Sequence, residues 1–179
     1  MLILHAEGTP DYRLKQAEAI DCEDLRVWKN ANRQYFFFKG EITHEMQAKW
    51  FANLQANKND MMLMVQEHDG EKFVNVGCMG YRLETDEDTG EKSIDVYNIM
   101  RGRTLEGSTH SMAEAFNLMN TFLHTSAKLP VGCLVLADNP ARDWYEQNGF
   151  ESQGEADGHV VYKLNSAKLK PVKVEVVQE

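Results

Sequence analysis

Residues 138–150 read DNPARDWYEQNGF, and their types are those of a short helix pinned at both ends. Asn139 suits an N-cap, Pro140 suits the first helical position, and Gly149 can take the left-handed conformation that stops a helix. Spacing of i, i+3, i+4 and i+7 places Ala141, Trp144, Tyr145 and Asn148 on one face. Two readings are open: the rings anchor the helix to a sheet, or the Tyr145 phenol does chemistry. A second stretch, SIDVYNIM at 93–100, has the pattern of a strand. Alternation sets Asp95, Tyr97 and Ile99 on one face, where Asp95 and Tyr97 could line a cleft together. A carboxylate can accept a proton and a phenol can give one.

Other chemistries find less support. His5, His44, His68, His110, His124 and His159 show no HExxH or comparable ligand spacing, so no metal site is expected. No GxSxG occurs. Cys22, Cys78 and Cys133 are far apart and odd in number, which offers neither a disulfide framework nor a CxxC pair. The formal net charge of −9 argues against a nucleic-acid binder working through a basic face. No apolar run approaches the roughly 20 residues that span a bilayer, and MLILHAEG lacks a basic leader region. The expectation is a soluble, cytoplasmic protein with no membrane or nucleic-acid partner.

The elements that must position these residues follow from periodicity. With 179 residues and 42% hydrophobic residues the chain suits one domain, expected over 1–167, with a tail at 168–179. YRLKQAEAI (12–20) reads as a strand. Asp21 can cap a helix bearing Leu25, Trp28, Ala31 and Tyr35, and Thr43 a second bearing Met46, Trp50, Phe51 and Leu54. Residues 61–83 read as two strands joined through Asp69-Gly70, and 84–92 as a solvated loop. The strand at 93–100 and the loop RGRTLEGST precede a long helix carrying Met112, Ala115, Phe116, Met119, Phe122 and Leu123. VGCLVLA (131–137) reads as a buried strand, the Tyr145 helix follows, and HVVYKL (159–164) is the last strand of the domain. The order β-α-α-β-β-β-α-β-α-β is that of a mixed α/β layered domain.

That order, together with Asn139, Ala141, Tyr145, Gly149 and Phe150, resembles the GNAT superfamily of acetyl-CoA-dependent N-acetyltransferases over residues 12 to about 164. The resemblance implies a central twisted mixed sheet flanked by helices, with acetyl-CoA as cosubstrate and an amine as acceptor. It places Tyr145 near the coenzyme sulfur as the acid that protonates the leaving thiolate, and Asn139 on the pantetheine arm. A gapless count puts Asp95 where several members carry a general base, the group a protonated amine needs before it can attack a thioester. Backbone donors of the 93–100 strand, with Asn98, Ile99 and Met100, would lie along the coenzyme. The family's phosphate-loop slots fall on Glu106, Thr109 and Ser111. A shifted loop would use Gly107, Ser108, Thr109 and His110 as donors, with positive charge from Arg101 and Arg103.

WKNANRQYFFF and ITHEMQAKWF look like the acceptor side, and with them Trp28 and Tyr97 are expected at the substrate. The acceptor implied is a small amine or amino sugar, with a protein α-amine or lysine as the alternative. An acyl-CoA-binding or interaction module without catalysis is the reading from another class. In the tail, Val172, Val174 and Val176 alternate with charged residues, the pattern of a strand that must join a sheet edge. That edge could be its own or that of a second subunit in a homodimer.

Overall fold

The computed structural model describes residues 1–178, and the elements run β1 (Leu2–Ala6), β2 (Tyr12–Gln16), α1 (Cys22–Ala31), α2 (His44–Ala56), β3 (Asp60–His68), β4 (Phe73–Thr85), β5 (Lys92–Arg101), α3 (Met112–Ala127), β6 (Val131–Leu136), α4 (Arg142–Gln147), β7 (Phe150–Ala156), β8 (His159–Leu164) and β9 (Val174–Gln178). All nine strands form one mixed sheet in the order β7-β8-β6-β5-β4-β3-β2-β1-β9. Every neighbouring pair is antiparallel except β5 and β6, which run parallel. The mixed α/β sheet expected from the sequence is therefore present. β1 and β7 are additions to the expected order, and β9 is the strand expected of the tail.

Alternation along the central strands builds a core on each face. Leu63 and Val65 of β3 join Phe116, Met119 and Leu123 of α3, while Met62 and Met64 join Leu25 and Trp28 of α1. Trp144 and Tyr145 pack on the first of these cores. Phe116 lies 5.0 Å from Trp144 and 6.1 Å from Tyr145 between ring centroids.

Several local expectations change. Asp21 stands at the start of α1, but its carboxylate accepts from the Glu18 and Asn75 nitrogens instead of capping that helix. Thr43 does cap α2, its hydroxyl accepting from Met46 N at 3.2 Å. Met46 is exposed and Gln47 buried, so the apolar stripe of α2 is rotated from the one expected. Tyr35 falls in a 3-10 turn after α1 ends, off that helix's face. Asn139 caps its own turn, accepting from Ala141 N at 2.8 Å, so α4 begins at Arg142 and is six residues long. Gly149 has φ +89°, as its role in stopping α4 requires.

The tail joins the domain's own sheet. β9 pairs antiparallel with β1 from Leu2↔Gln178 to Ala6↔Val174. Lys170 N donates to Asn117 Oδ1 and so ties the approach to α3.

The Trp28 ring lies across Gly102, just beyond β5, where an added Cβ would come within 2.0 Å of it. Gly102→Ala should therefore destabilise the fold by about 1–3 kcal/mol, as overpacking does. Urea unfolding measures this. An unchanged midpoint would mean that Trp28 moves aside without cost.

Candidate functional site

β5 and β6 start as neighbours and then part. Their parallel pairing covers Ile94↔Val131 and Asp95↔Gly132, although β5 runs on to Arg101 and β6 to Leu136. The β6-facing backbone edge of 96–101 is thus not taken up by β6. On its other side β5 stays paired with β4, but the register shifts between Cys78 and Gly80. Asn98 sits in that shift with φ +50°, a conformation that asparagine tolerates better than most residues. The bulge breaks alternation. Tyr97 and Met100 now pack on the α1 side and Ile99 on the α3 side, so Ile99 does not share the face of Asp95 and Tyr97 as strict alternation implied.

The wedge opens into a cleft of about 680 Å³. Eight of the sequence-predicted residues line it: Asp95, Tyr97, Asn98, Ile99, Met100, Arg101, Asn139 and Tyr145. Its size is that of a small-molecule site. A groove of similar volume, about 670 Å³, runs beside the end of α3 at Lys128 and Leu129 but brings none of the predicted residues together.

Asp95 receives Arg82 Nε and Nη2 on Oδ2 at 3.0 and 2.8 Å. Burial raises its pKa above the usual carboxylate value, and the guanidinium pulls the other way without cancelling that effect. Tyr145 lies across the wedge on α4. Its hydroxyl makes no hydrogen bond among the described residues. Burial first, and then the neighbouring Cys133 and Asp95, hold its proton on more firmly than in a free phenol. Tyr97 donates to Asp60 Oδ1, and Arg82 stacks over its ring at 4.6 Å.

Another wall of the cleft comes from α1, the aromatic run after it, and α2. Lys29, Tyr35, Phe36, Phe37, Phe38 and Trp50 line the same cleft, and Lys29 Nζ donates to Asn98 Oδ1 at 2.8 Å. Asn139 Nδ2 donates to Tyr35 O at 3.3 Å and ties this run to the β6–α4 turn. Lys29, Arg82 and Asp60 escaped the sequence reading. Lys29 adjoins Trp28 in sequence, whereas Arg82 and Asp60 lie 13 and 37 residues from their partners Asp95 and Tyr97 and carried no signal.

The structure does not bring the expected phosphate loop into this cleft. Arg103, Gly107, Ser108, Thr109, His110 and Ser111 lie outside its lining, and so does Trp28, which is buried in the core. Arg103 pairs with Asp24 at 2.6 Å. Arg101 pairs with the buried Glu67 at 2.8 Å. His110 stacks on Tyr12 at 4.5 Å between Asp11 and Glu114. At the start of α3, Ser111 N donates to Glu114 Oε2 and Glu114 N to Ser111 Oγ, a reciprocal cap. A carboxylate thus already occupies the positive end of the helix.

No protein-family model matches the sequence, and no curated protein matches it. Solved structures match in fold. FdhC, a nucleotide-linked sugar GNAT, is 16% identical with TM-score 0.68, over 89% of this chain and 89% of its own. Spermidine N-acetyltransferase from Vibrio cholerae, in complex with CoA and spermine, is 17% identical with TM-score 0.66, over 89% of this chain and 99% of its own. Ribosomal-protein-S5-alanine acetyltransferase from Vibrio fischeri is 14% identical with TM-score 0.60, over 93% of this chain and 100% of its own. The chain has the fold of the GNAT acetyltransferases.

Because the folded state holds the Asp95 proton more tightly than the unfolded chain, this site's contribution to stability is present in acid and lost as pH rises through the raised value. Carboxyl NMR should find Asp95 titrating above the ordinary aspartate range. Arg82→Gln should move that midpoint higher still, since the guanidinium lowers it. A midpoint that stays or falls in the variant would contradict this electrostatic account.

Proposed function

We propose that the protein moves an acetyl group from acetyl-CoA to a primary amine by direct attack in a ternary complex, the acceptor being a small amine or amino sugar. The observation that carries this reading is the meeting of Asp95, the unbonded Tyr145 hydroxyl and the open edge of β5 in one cleft. Acetyl-CoA would supply the acyl group as a thioester. The β6-facing edge of 96–101 offers unused backbone groups to an extended chain laid between the strands, and buried groups of this kind require partners.

Asp95 takes the ammonium proton, through Oδ1, which accepts no protein donor among the described residues. The freed amine then attacks the carbonyl carbon, so that an N–C bond forms and the C–S bond breaks. Tyr145 starts protonated at neutral pH and gives its proton to the departing sulfur, and the second proton that the nitrogen sheds on becoming an amide restores the Tyr145 phenol. Backbone donors near the bulge at Asn98 would polarise the carbonyl.

The fold alone does not choose the acceptor. The three proteins named above act, by their names, on spermidine, a nucleotide-linked sugar and a ribosomal-protein alanine. A protein amine is the alternative. The phosphate end is the weaker fit, because Arg101 and Arg103 are already paired and Glu114 stands at the helix start.

Tyr145→Phe keeps the ring packing and removes only the hydroxyl. Turnover with acetyl-CoA should fall by about 10²- to 10⁴-fold with little change in melting temperature. Wild-type turnover would remove Tyr145 as the acid, and an unfolded variant would assign it to packing. For the phosphate end, Glu114→Gln preserves the reciprocal cap while deleting a negative charge. Calorimetry should show tighter binding of coenzyme A and unchanged binding of pantetheine. Equal change for both ligands would place the phosphates elsewhere.

A further inference from the structure

The chain carries a net charge of −9, yet the charged side chains lining the cleft are Lys29, Arg82 and Arg101 against Asp95 alone. Two of these cations are already answered. Arg82 bonds Asp95 and lies 3.3 Å from Glu84, and Arg101 pairs with Glu67. Lys29 differs from both. It is half-buried, it donates to the neutral Asn98 carboxamide, and its ammonium lies 5.0 Å over the Phe36 ring. Among the described residues no carboxylate pairs with it, and the nearby Arg82 is another cation. A half-buried ammonium in that position is a costly feature unless an anion completes it.

Lys29 also stands where the cleft meets a smaller apolar hollow of about 170 Å³, bounded by Leu25, Ile42, Met46, Trp50 and Met62. That hollow is too small to hold a ligand by itself and suits the apolar portion of a larger one. Phe38, Trp50 and Asn98 border both spaces. From Asp95 to Asn98, the residue that holds Lys29, is three strand residues, or about 10 Å of backbone. An amine at Asp95 and an anion at Lys29 therefore fit on one small molecule.

Resting on the transferase reading, we infer that the acceptor is an anionic amine: its carboxylate or phosphate is bound by Lys29, and its ring or apolar portion lies against Phe36, Phe38 and Trp50. A polyamine, by contrast, would bring a further positive charge beside the Lys29 ammonium, which no carboxylate answers among the described residues.

Matched probes test this by calorimetry, with and without coenzyme A. 4-(2-Aminoethyl)benzoate against phenethylamine isolates a carboxylate held across the ring from the amine, glucosamine 6-phosphate against glucosamine isolates a phosphate, and spermidine stands for polycations. In at least one pair the member bearing the carboxylate or phosphate should bind about tenfold to a hundredfold more tightly than the partner lacking it, as a charge-assisted bond allows. Whichever pair shows the preference identifies the anion. The preference should collapse in Lys29→Gln and persist in Lys29→Arg.

Tighter binding of spermidine or of the members lacking the carboxylate or phosphate would overturn the inference, as would failure of both anion-bearing probes to bind at millimolar concentration. A preference that survives in Lys29→Gln, or a loss of coenzyme A binding there in place of acceptor binding, would overturn it too. The wild-type comparison decides even if a variant does not fold. Acetylation of amines without any anionic preference would sink this inference and leave the transferase reading intact. Anionic preference without acetyl transfer to any amine would do the reverse.

Discussion

The parting of β5 from β6 opens the cleft on which the proposed chemistry rests. A parallel pair buried between helices ordinarily continues along its length, because unpaired backbone groups inside a protein are costly. Here pairing ends at Asp95 and Gly132, and the β5 backbone is bent by a bulge centred on Asn98. The bulge is held by contacts on three elements. Asn98 accepts Lys29 of α1 on its side chain, its carbonyl accepts the buried Cys78 thiol of β4 at 3.3 Å, and Tyr97 beside it is fixed by Asp60 of β3. Gly80 lets the Tyr97 ring lie close, since a Cβ there would come within 2.8 Å of it.

The electrostatics of the site follow from the same opening. Asp95 and Tyr145 both sit deep enough for burial to raise their pKa values, yet both border the cleft. The pair is graded by chemistry: the carboxylate remains the more readily ionised member and the phenol the firmly protonated one, which is the grading that the proposed roles require. The Cys78 thiol, pushed up to about 12 by burial, is a packing and hydrogen-bonding group and not a nucleophile at neutral pH.

Much of this was legible in the sequence where a pattern has a period. The stripe of α3, the Thr43 cap, the Asp69-Gly70 turn and the valines of β9 are repeating or local signals, and the fold class followed from their order. β7 was not legible because FESQGEA is exposed at every position after Phe150 and so shows no alternation. β1, LILHA, opens on three consecutive apolar residues and so shows no alternation either. The bulge at Asn98 depends on a backbone conformation that one asparagine allows but does not announce. The engagement of Arg101 and Arg103 was hidden for another reason: their partners Glu67 and Asp24 lie 34 and 79 residues away in sequence. The same distance effect concealed the isolation of Lys29, which is visible only when the absence of nearby carboxylates can be seen in space.

Amide hydrogen exchange with and without coenzyme A tests the central claim most directly, because it reads the open edge of β5 residue by residue. If an extended chain lies between the parted strands, amides within 96–101 should exchange more slowly when the coenzyme is bound, together with those at 134–136 on the facing strand. Protection confined to other parts of the sheet, or none along 96–101 at saturating coenzyme, would contradict the account.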